Sequence, residues 1–139
     1  RQHYLGPAEE GRIVKLLYNA VLGTAIASLG EAVAVARKSG LNVDQLLEVI
    51  EGSSVASPAL KGTMQTVREG RFEPRLTVSL LAKDLRLMNE LAASVTAPVP
   101  IASSSLQLYE AAANMGWADR DTSAVVLLLQ ALSGLTGSD

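Results

Sequence analysis

The 139-residue chain contains no cysteine, a single histidine, one phenylalanine, one tryptophan, and no run of lysine or arginine. Each scarcity closes a class of function. Without cysteine there is no disulfide framework and no thiolate nucleophile. With His3 alone near the N-terminus no His/Cys cluster can be assembled, so no metal site is expected. The lone histidine also removes the base that a Ser-His-Asp hydrolase requires. A formal net charge of -2 without a basic stretch lacks the electrostatic footprint of a nucleic-acid or anionic-membrane protein, and neither partner is expected. Residues 16–30 and 123–137 are apolar. Both are shorter than the roughly 20 apolar residues of a membrane span and carry polar residues, so they read as buried helices. The opening Arg-Gln-His-Tyr has no apolar signal-peptide region, and a start at Arg1 rather than Met reads as part of a longer protein. Cytoplasm is the expected compartment.

Hydrophobic residues make up 48% of the chain but aromatics only 4%, so the core must be built from Leu, Val, Ile and many Ala. That composition favours closely packed helices over a sandwich of aromatic and β-branched strands, and the expected fold is all-α. Glycine, proline and capping residues divide the sequence into about six helices. The first runs from about Ala8 to Lys38 and stops at Gly40, which suits a left-handed terminus. Its small residues, among them Ala20, Gly23, Ala27 and Gly30, let other backbones approach on several sides, so it is expected at the centre. Asn42 and Gln45 form a capping pair for a helix ending at Gly52, and Ser57-Pro58 opens a third helix that fades near Gly70. Thr77 caps a fourth helix expected to reach Ala97 before Pro98 and Pro100. Pro100 initiates a fifth, expected to last until Gly116, and Asp121 or Thr122 caps the last. The expected organisation is a linker over residues 1–7, one helical domain over 8–135 and a frayed tail over 136–139.

Two polar clusters interrupt these apolar faces. Lys15 and Asn19 are one helical turn apart, so an ammonium and a carboxamide stand on one face with roughly 5 to 6 Å between their Cβ atoms. Lys83-Asp84 lies between Leu80-Leu81 and Leu87-Met88 on the fourth helix; alone, such a pair reads as a solvated edge.

These clusters occur in a larger ordered set: Gly11-x-x-x-Lys15-x-x-x-Asn19, Gly40-Leu-Asn-Val-Asp44, Ser53-Ser54, Phe72-x-Pro74, Lys83-Asp84-Leu85, Pro98-x-Pro100, Tyr109, Gly116 and Asp121-x-Ser123-Ala124. In that order, from Gly6 to about Leu132, the chain resembles the C-terminal helical domain of the β-hydroxyacid dehydrogenases, the 3-hydroxyisobutyrate dehydrogenase family. The resemblance implies a helical domain like the C-terminal domain of 6-phosphogluconate dehydrogenase, working with an N-terminal Rossmann domain as a homodimer. It implies NAD or NADP as cofactor, bound mainly by that other domain, and a small anionic 3-hydroxy acid or the corresponding semialdehyde as substrate. By the same resemblance Lys15 is the catalytic lysine and Asn19 binds substrate, while Lys83 approaches both substrate and nicotinamide. The residue types suit the chemistry: hydride transfer requires a proton to leave or join the alcohol oxygen, and a lysine desolvated beside another cation gives its proton up more readily. An asparagine orients a hydroxyl or carboxylate without adding charge.

Three positions depart from the family pattern. Tyr18 stands where the first of two adjacent asparagines is common, and is expected to pack. Glu9 replaces a frequent glycine, and Arg75-Leu76 replaces a more apolar aromatic pattern. They leave room for a relative acting on a bulkier aldehyde, ketone or imine. Among the remaining motif residues, Gly11, Gly40 and Gly116 read as backbone devices, Asp121 as an N-cap, Glu31 as a helix-face charge and Tyr109 as a buried ring with a wet hydroxyl. No Gly-x-Gly-x-x-Gly occurs, and no strand-turn-helix segment is expected to hold a pyrophosphate. The competing class is a helical oligomerisation module with no chemistry of its own.

Overall fold

The computed structural model describes residues 10–135. The expected linker, His3, Glu9 and the tail lie outside the described residues. Six α-helices follow one another: α1 (Glu10–Lys38), α2 (Val43–Glu51), α3 (Pro58–Glu69), α4 (Val78–Ser94), α5 (Pro100–Ala112) and α6 (Val125–Leu132). A π-type turn over Ala113–Trp117 and a 3₁₀ turn over Thr122–Ala124 join the last two. Among the described residues there is no strand, only an isolated bridge between Thr77 and Asp121.

The central position of α1 follows from its pattern. Leu16, Ala20, Gly23, Ala27, Gly30 and Ala34 are buried along one stripe at alternating spacings of four and three. The small members of that stripe set the distances. A Cβ on Gly23 would lie 3.1 Å from a Leu81 methyl and 3.4 Å from the Tyr109 ring, and one on Gly30 would lie 2.7 Å from Leu129 Cδ1 and 3.2 Å from Val126 Cα. α4 and α5 therefore close on the N-terminal half of α1, and α6 on the C-terminal half. By length and composition α1 is also the one described helix able to cross a membrane. Its apolar stripe instead meets the other helices, as expected of a core helix.

Capping follows the sequence at most ends. The Asn42 side chain accepts from Gln45 N, that of Ser57 from Leu60 N, and that of Thr77 from Leu80 N. Gly40, Gly70 and Gly116 have positive φ, which suits glycine. Gly11 does not belong with them: it lies inside α1 with open space where a Cβ would stand.

Two boundaries are corrected. α4 ends at Ser94 rather than Ala97, because Thr96 turns left-handed (φ 56°) and the amides of Thr96 and Ala97 fold back to the carbonyls of Ala93 and Ala92. Pro98 forbids continuation anyway. α5 is regular only to Ala112, since the chain widens into the π-type turn before Gly116. Asp121 does more than cap. Its carboxylate accepts from Ser123 N and Oγ and from Arg75 N, while its own amide donates to Phe72 O. With Val78 N donating to Arg120 O and Thr122 N to Leu76 O, this clasp fixes the entry to α4.

Two glycines of α1 should respond oppositely to alanine. Gly30→Ala forces Leu129 and the Val126 backbone apart and should destabilise the fold by about 1 to 3 kcal/mol. Gly11→Ala fills open space in a helix and should be neutral or stabilising by up to about 0.5 kcal/mol. Urea denaturation of both variants checks the pair.

Candidate active site

The crossing of α1 and α4 builds the polar cluster. Gly23 meets Leu81, Asn19 meets Asp84, and Ile13 and Leu17 share an apolar hollow with Leu91 and Val95, so the two helices run antiparallel. That register brings Lys15, Asn19, Lys83 and Asp84 together although the two pairs lie more than sixty residues apart. Asp84 is the centre. Its side chain is only 4% exposed, and Asn19 Nδ2 donates to Oδ2 at 2.7 Å. Lys15 Nζ lies 3.7 Å from Oδ2, and Lys83 Nζ lies 3.2 Å from Oδ1.

Each oxygen of one buried carboxylate therefore faces an ammonium, and the neutral Asn19 holds it from inside. Burial by itself would raise the Asp84 pKa. The Asn19 hydrogen bond, the Lys83 contact and the more distant Lys15 outweigh burial, and the carboxyl sits below its ordinary value. Lys15 and Lys83 remain open to the outside, with side chains 63% and 51% exposed. The described residues thus do not desolvate Lys15; that condition for its expected role has to come from whatever covers this face.

The three expected site residues converge, and the residue on which they converge was read as their solvated neighbour. A signal for it existed. Leu81, Asp84, Leu85 and Met88 follow the i, i+3, i+4, i+7 spacing of an apolar face, so Asp84 occupies a core position on α4. A carboxylate at a core position requires partners, and Asn19 on the facing helix is the first.

Two further expectations change. Tyr18 does not pack into the core: it is 60% exposed, on the outer side of Lys15. Tyr109 is fully buried, and its hydroxyl is dry, donating to Gly23 O at 3.0 Å. Burial and the nearby Asp121 both raise its pKa, so the phenol stays a neutral donor that ties α5 to the middle of α1.

A dinucleotide fits only part of this arrangement. Its phosphates need backbone amides at a Gly-rich turn between strand and helix, and among the described residues there is no strand. Two ammoniums beside a carboxamide do suit a carboxylate, a reacting oxygen and a nicotinamide edge.

The all-α fold belongs to a known class. Residues 10–129 match the family described as "NAD-binding of NADP-dependent 3-hydroxyisobutyrate dehydrogenase", and the chain belongs to that family. It is 31% identical over 126 residues to L-threonate dehydrogenase of Escherichia coli (strain K12), an alignment covering 91% of this chain and 41% of the relative. It is 29% identical over 122 residues to the cytokine-like nuclear factor N-PAC of Aedes aegypti, covering 88% of this chain and 22% of the relative. The crystal structure of 3-hydroxyisobutyrate dehydrogenase from Salmonella typhimurium superposes with a TM-score of 0.80 at 32% identity, covering 86% of this chain and 42% of that one. The chain thus spans about two fifths of the length of these dehydrogenases.

Because the Asp84 carboxyl is held below its unfolded value, its contribution to stability is present above an unfolded pKa of about 3.9 and is lost as pH falls through the folded value. Asp84→Asn should therefore cost about 1 to 3 kcal/mol near neutrality and show a shallower loss of stability below about pH 4 than the parent. Chemical denaturation at a series of pH values measures both. Equal acid dependence in the two proteins would mean the carboxylate is not held as described.

Proposed function

We propose that this chain is the substrate-binding and catalytic-lysine part of an NAD(P)-dependent oxidoreductase acting on a small 3-hydroxy acid or the corresponding semialdehyde. The observation that carries the reading is the pair of exposed ammoniums fixed on the two oxygens of buried Asp84 beside Asn19. The nicotinamide cofactor, when bound, accepts or supplies the hydride. This chain's residues do the rest. Lys15 exchanges the proton with the alcohol oxygen, the Asn19 carboxamide orients that oxygen or the acid group, and Lys83 attracts the substrate carboxylate and borders the nicotinamide. Asp84 keeps both lysine stems in place.

The phosphates of NAD or NADP are held elsewhere, on a Rossmann domain of the same protein that closes over this face. A cover is what the chemistry requires, since an ammonium in open water exerts little of the force it exerts in a dry cleft. A homodimer completes the assembly. Residues 16–30 carry no charged side chain, and exposed Val21 borders an apolar hollow of about 320 Å³ shared by Ala20, Met88, Val99 and Ile101. Such an uncharged outer side supports self-association.

A second reading keeps the fold without the chemistry, as a helical interaction module. It is favoured by the likeness to a relative named as a nuclear factor rather than a dehydrogenase. Lys15 separates the two, because a module has no proton to exchange through it.

In the protein carrying both halves of the cleft, Lys15→Ala should lower kcat by about a hundredfold or more with the melting temperature unchanged, since general acid-base assistance is worth roughly 10² to 10⁴. Near-normal turnover at saturating substrate would remove Lys15 from the reaction. Lys83→Met, which keeps the apolar stem and deletes the charge, should reduce kcat/KM for a hydroxy acid more than for its methyl ester. Equal losses on acid and ester would return Lys83 to the surface of α4.

A further inference from the structure

Two neighbouring residues of α5 reach the two helices that carry the polar cluster. Tyr109 Oη donates to the carbonyl of Gly23 on α1 at 3.0 Å, and Arg86 Nη2 on α4 donates to Glu110 Oε1 at 2.6 Å. A third tie lies two turns earlier on α5, where Ser103 Oγ donates to Asn89 Oδ1 of α4 at 2.5 Å. The three differ in what they fix. Arg86 and Glu110 both reach solvent, so water competes with their ion pair. Ser103 and Asn89 join α5 to the part of α4 that follows the cluster. Tyr109 is the tie that reaches α1, and it is fully buried.

The Gly23 carbonyl lies inside α1, where it already faces the amide four residues on, so the phenol answers no unmet need of that carbonyl. What the bond adds is position. Gly23 stands four residues after Asn19 and eight after Lys15, in one row along α1. The missing Cβ lets Leu81 of α4 and the Tyr109 ring of α5 meet at that point, 3.1 and 3.4 Å from where a Cβ would stand. Leu81 in turn precedes Asp84 by three residues. The meeting point of three helices therefore lies one turn from the Asn19–Asp84 bond on both α1 and α4, and a buried, directional bond fixes α1 there against α5.

We propose that Tyr109 is a positioning residue of the site: through Gly23, its hydroxyl holds the α1 row at the axial position in which Asn19 meets Asp84 and Lys15 meets the substrate. Its effect on turnover rests on the oxidoreductase reading above; its effect on the Asn19–Asp84 bond does not.

Tyr109→Phe keeps the ring and removes only the bond. Gly23→Ala disturbs the same point from α1 and carries the test alone should a buried phenylalanine not be tolerated. Gly30→Ala strains the contact of α1 with α6 two turns further on and serves as a destabilised control away from the cluster. Two readouts apply. In this chain, the NMR shift of the Asn19 Nδ2 protons reports the bond to Asp84. In the protein carrying both halves of the cleft, kcat and KM are measured with 3-hydroxyisobutyrate. Tyr109→Phe and Gly23→Ala should each move the bonded Nδ2 proton upfield and lower kcat by about tenfold or more, with KM changed less because the charges that attract the substrate remain. Gly30→Ala should leave the shift in place and kcat within about twofold of the parent. A shift that Tyr109→Phe leaves unmoved would overturn the proposal, as would an equal response to Gly30→Ala, or an unchanged kcat beside an active parent. A parent that turns over no hydroxy acid would overturn the oxidoreductase reading, and the Nδ2 shift would then decide for or against Tyr109 by itself.

Discussion

A carboxylate cannot be taken out of water alone, and Asp84 is almost entirely out of water. The partners must come from outside α4's own core face, and they do: Asn19 from α1 on the inside, Lys83 from the adjacent edge of α4, and Lys15 from one turn earlier on α1. The shortest of these contacts is the one between the two buried groups, so the neutral amide supplies the rigid part of the arrangement. The lysines, both more than half exposed, add screened attraction. This division suits chemistry. The carboxylate is fixed, and the two ammoniums beside it stay exposed.

Such a cluster needs α1 and α4 in one register, and the register depends on groups that carry no charge. Gly23 lets Leu81 and Tyr109 reach the α1 backbone, and the Tyr109 hydroxyl bonds the Gly23 carbonyl there. A larger residue would move α4 outward just one turn from the Asn19–Asp84 bond. The entry to α4 is held by Asp121, whose carboxylate ties Arg75 to Ser123 while neighbouring backbone bonds join residues 72–79 to 118–122. Two buried carboxylates thus share the work: one sets where α4 begins, and the other uses that position to gather the lysines.

The fold was legible because its signals are local. Low aromatic content, the small-residue stripe of α1, Ser57-Pro58, Thr77 and Gly70 each act within a turn or two of chain, and the structure follows them. The α4 terminus was misplaced for a reason of the same kind: a β-branched threonine in the left-handed position is uncommon enough that Thr96 gave no warning. The site was legible in part. Lys15, Asn19 and Lys83 stood out by spacing and by family resemblance, but Asp84 sat beside a lysine, where a salt-bridged surface pair is the ordinary expectation. Only its phase on the α4 apolar row separated the two readings. Tyr18 failed in the opposite direction, since an aromatic on a largely apolar helix is expected to pack, and which side of α1 is inward is settled by distant helices. Tyr109 shows the same limit: nothing within its own helix indicates that its hydroxyl will meet the carbonyl of Gly23.

What the cluster lacks is as informative as what it holds. An exposed lysine is a weak participant in proton transfer and a weak electrostatic anchor, because water competes with every contact it makes. The α1–α4 face combines such lysines with uncovered Val14, Tyr18, Leu80 and Leu87, side chains that a permanently wet surface would have no reason to gather. On the reading proposed above, a second surface closing over this face would remove water from the lysines and from these apolar side chains in the same step, so that burial of the apolar side chains supplies the driving force that charged groups, which resist dehydration, cannot supply themselves. On that reading the apolar side chains are what would make the charged centre usable, because the free energy of burying them offsets the cost of dehydrating the lysines beside them.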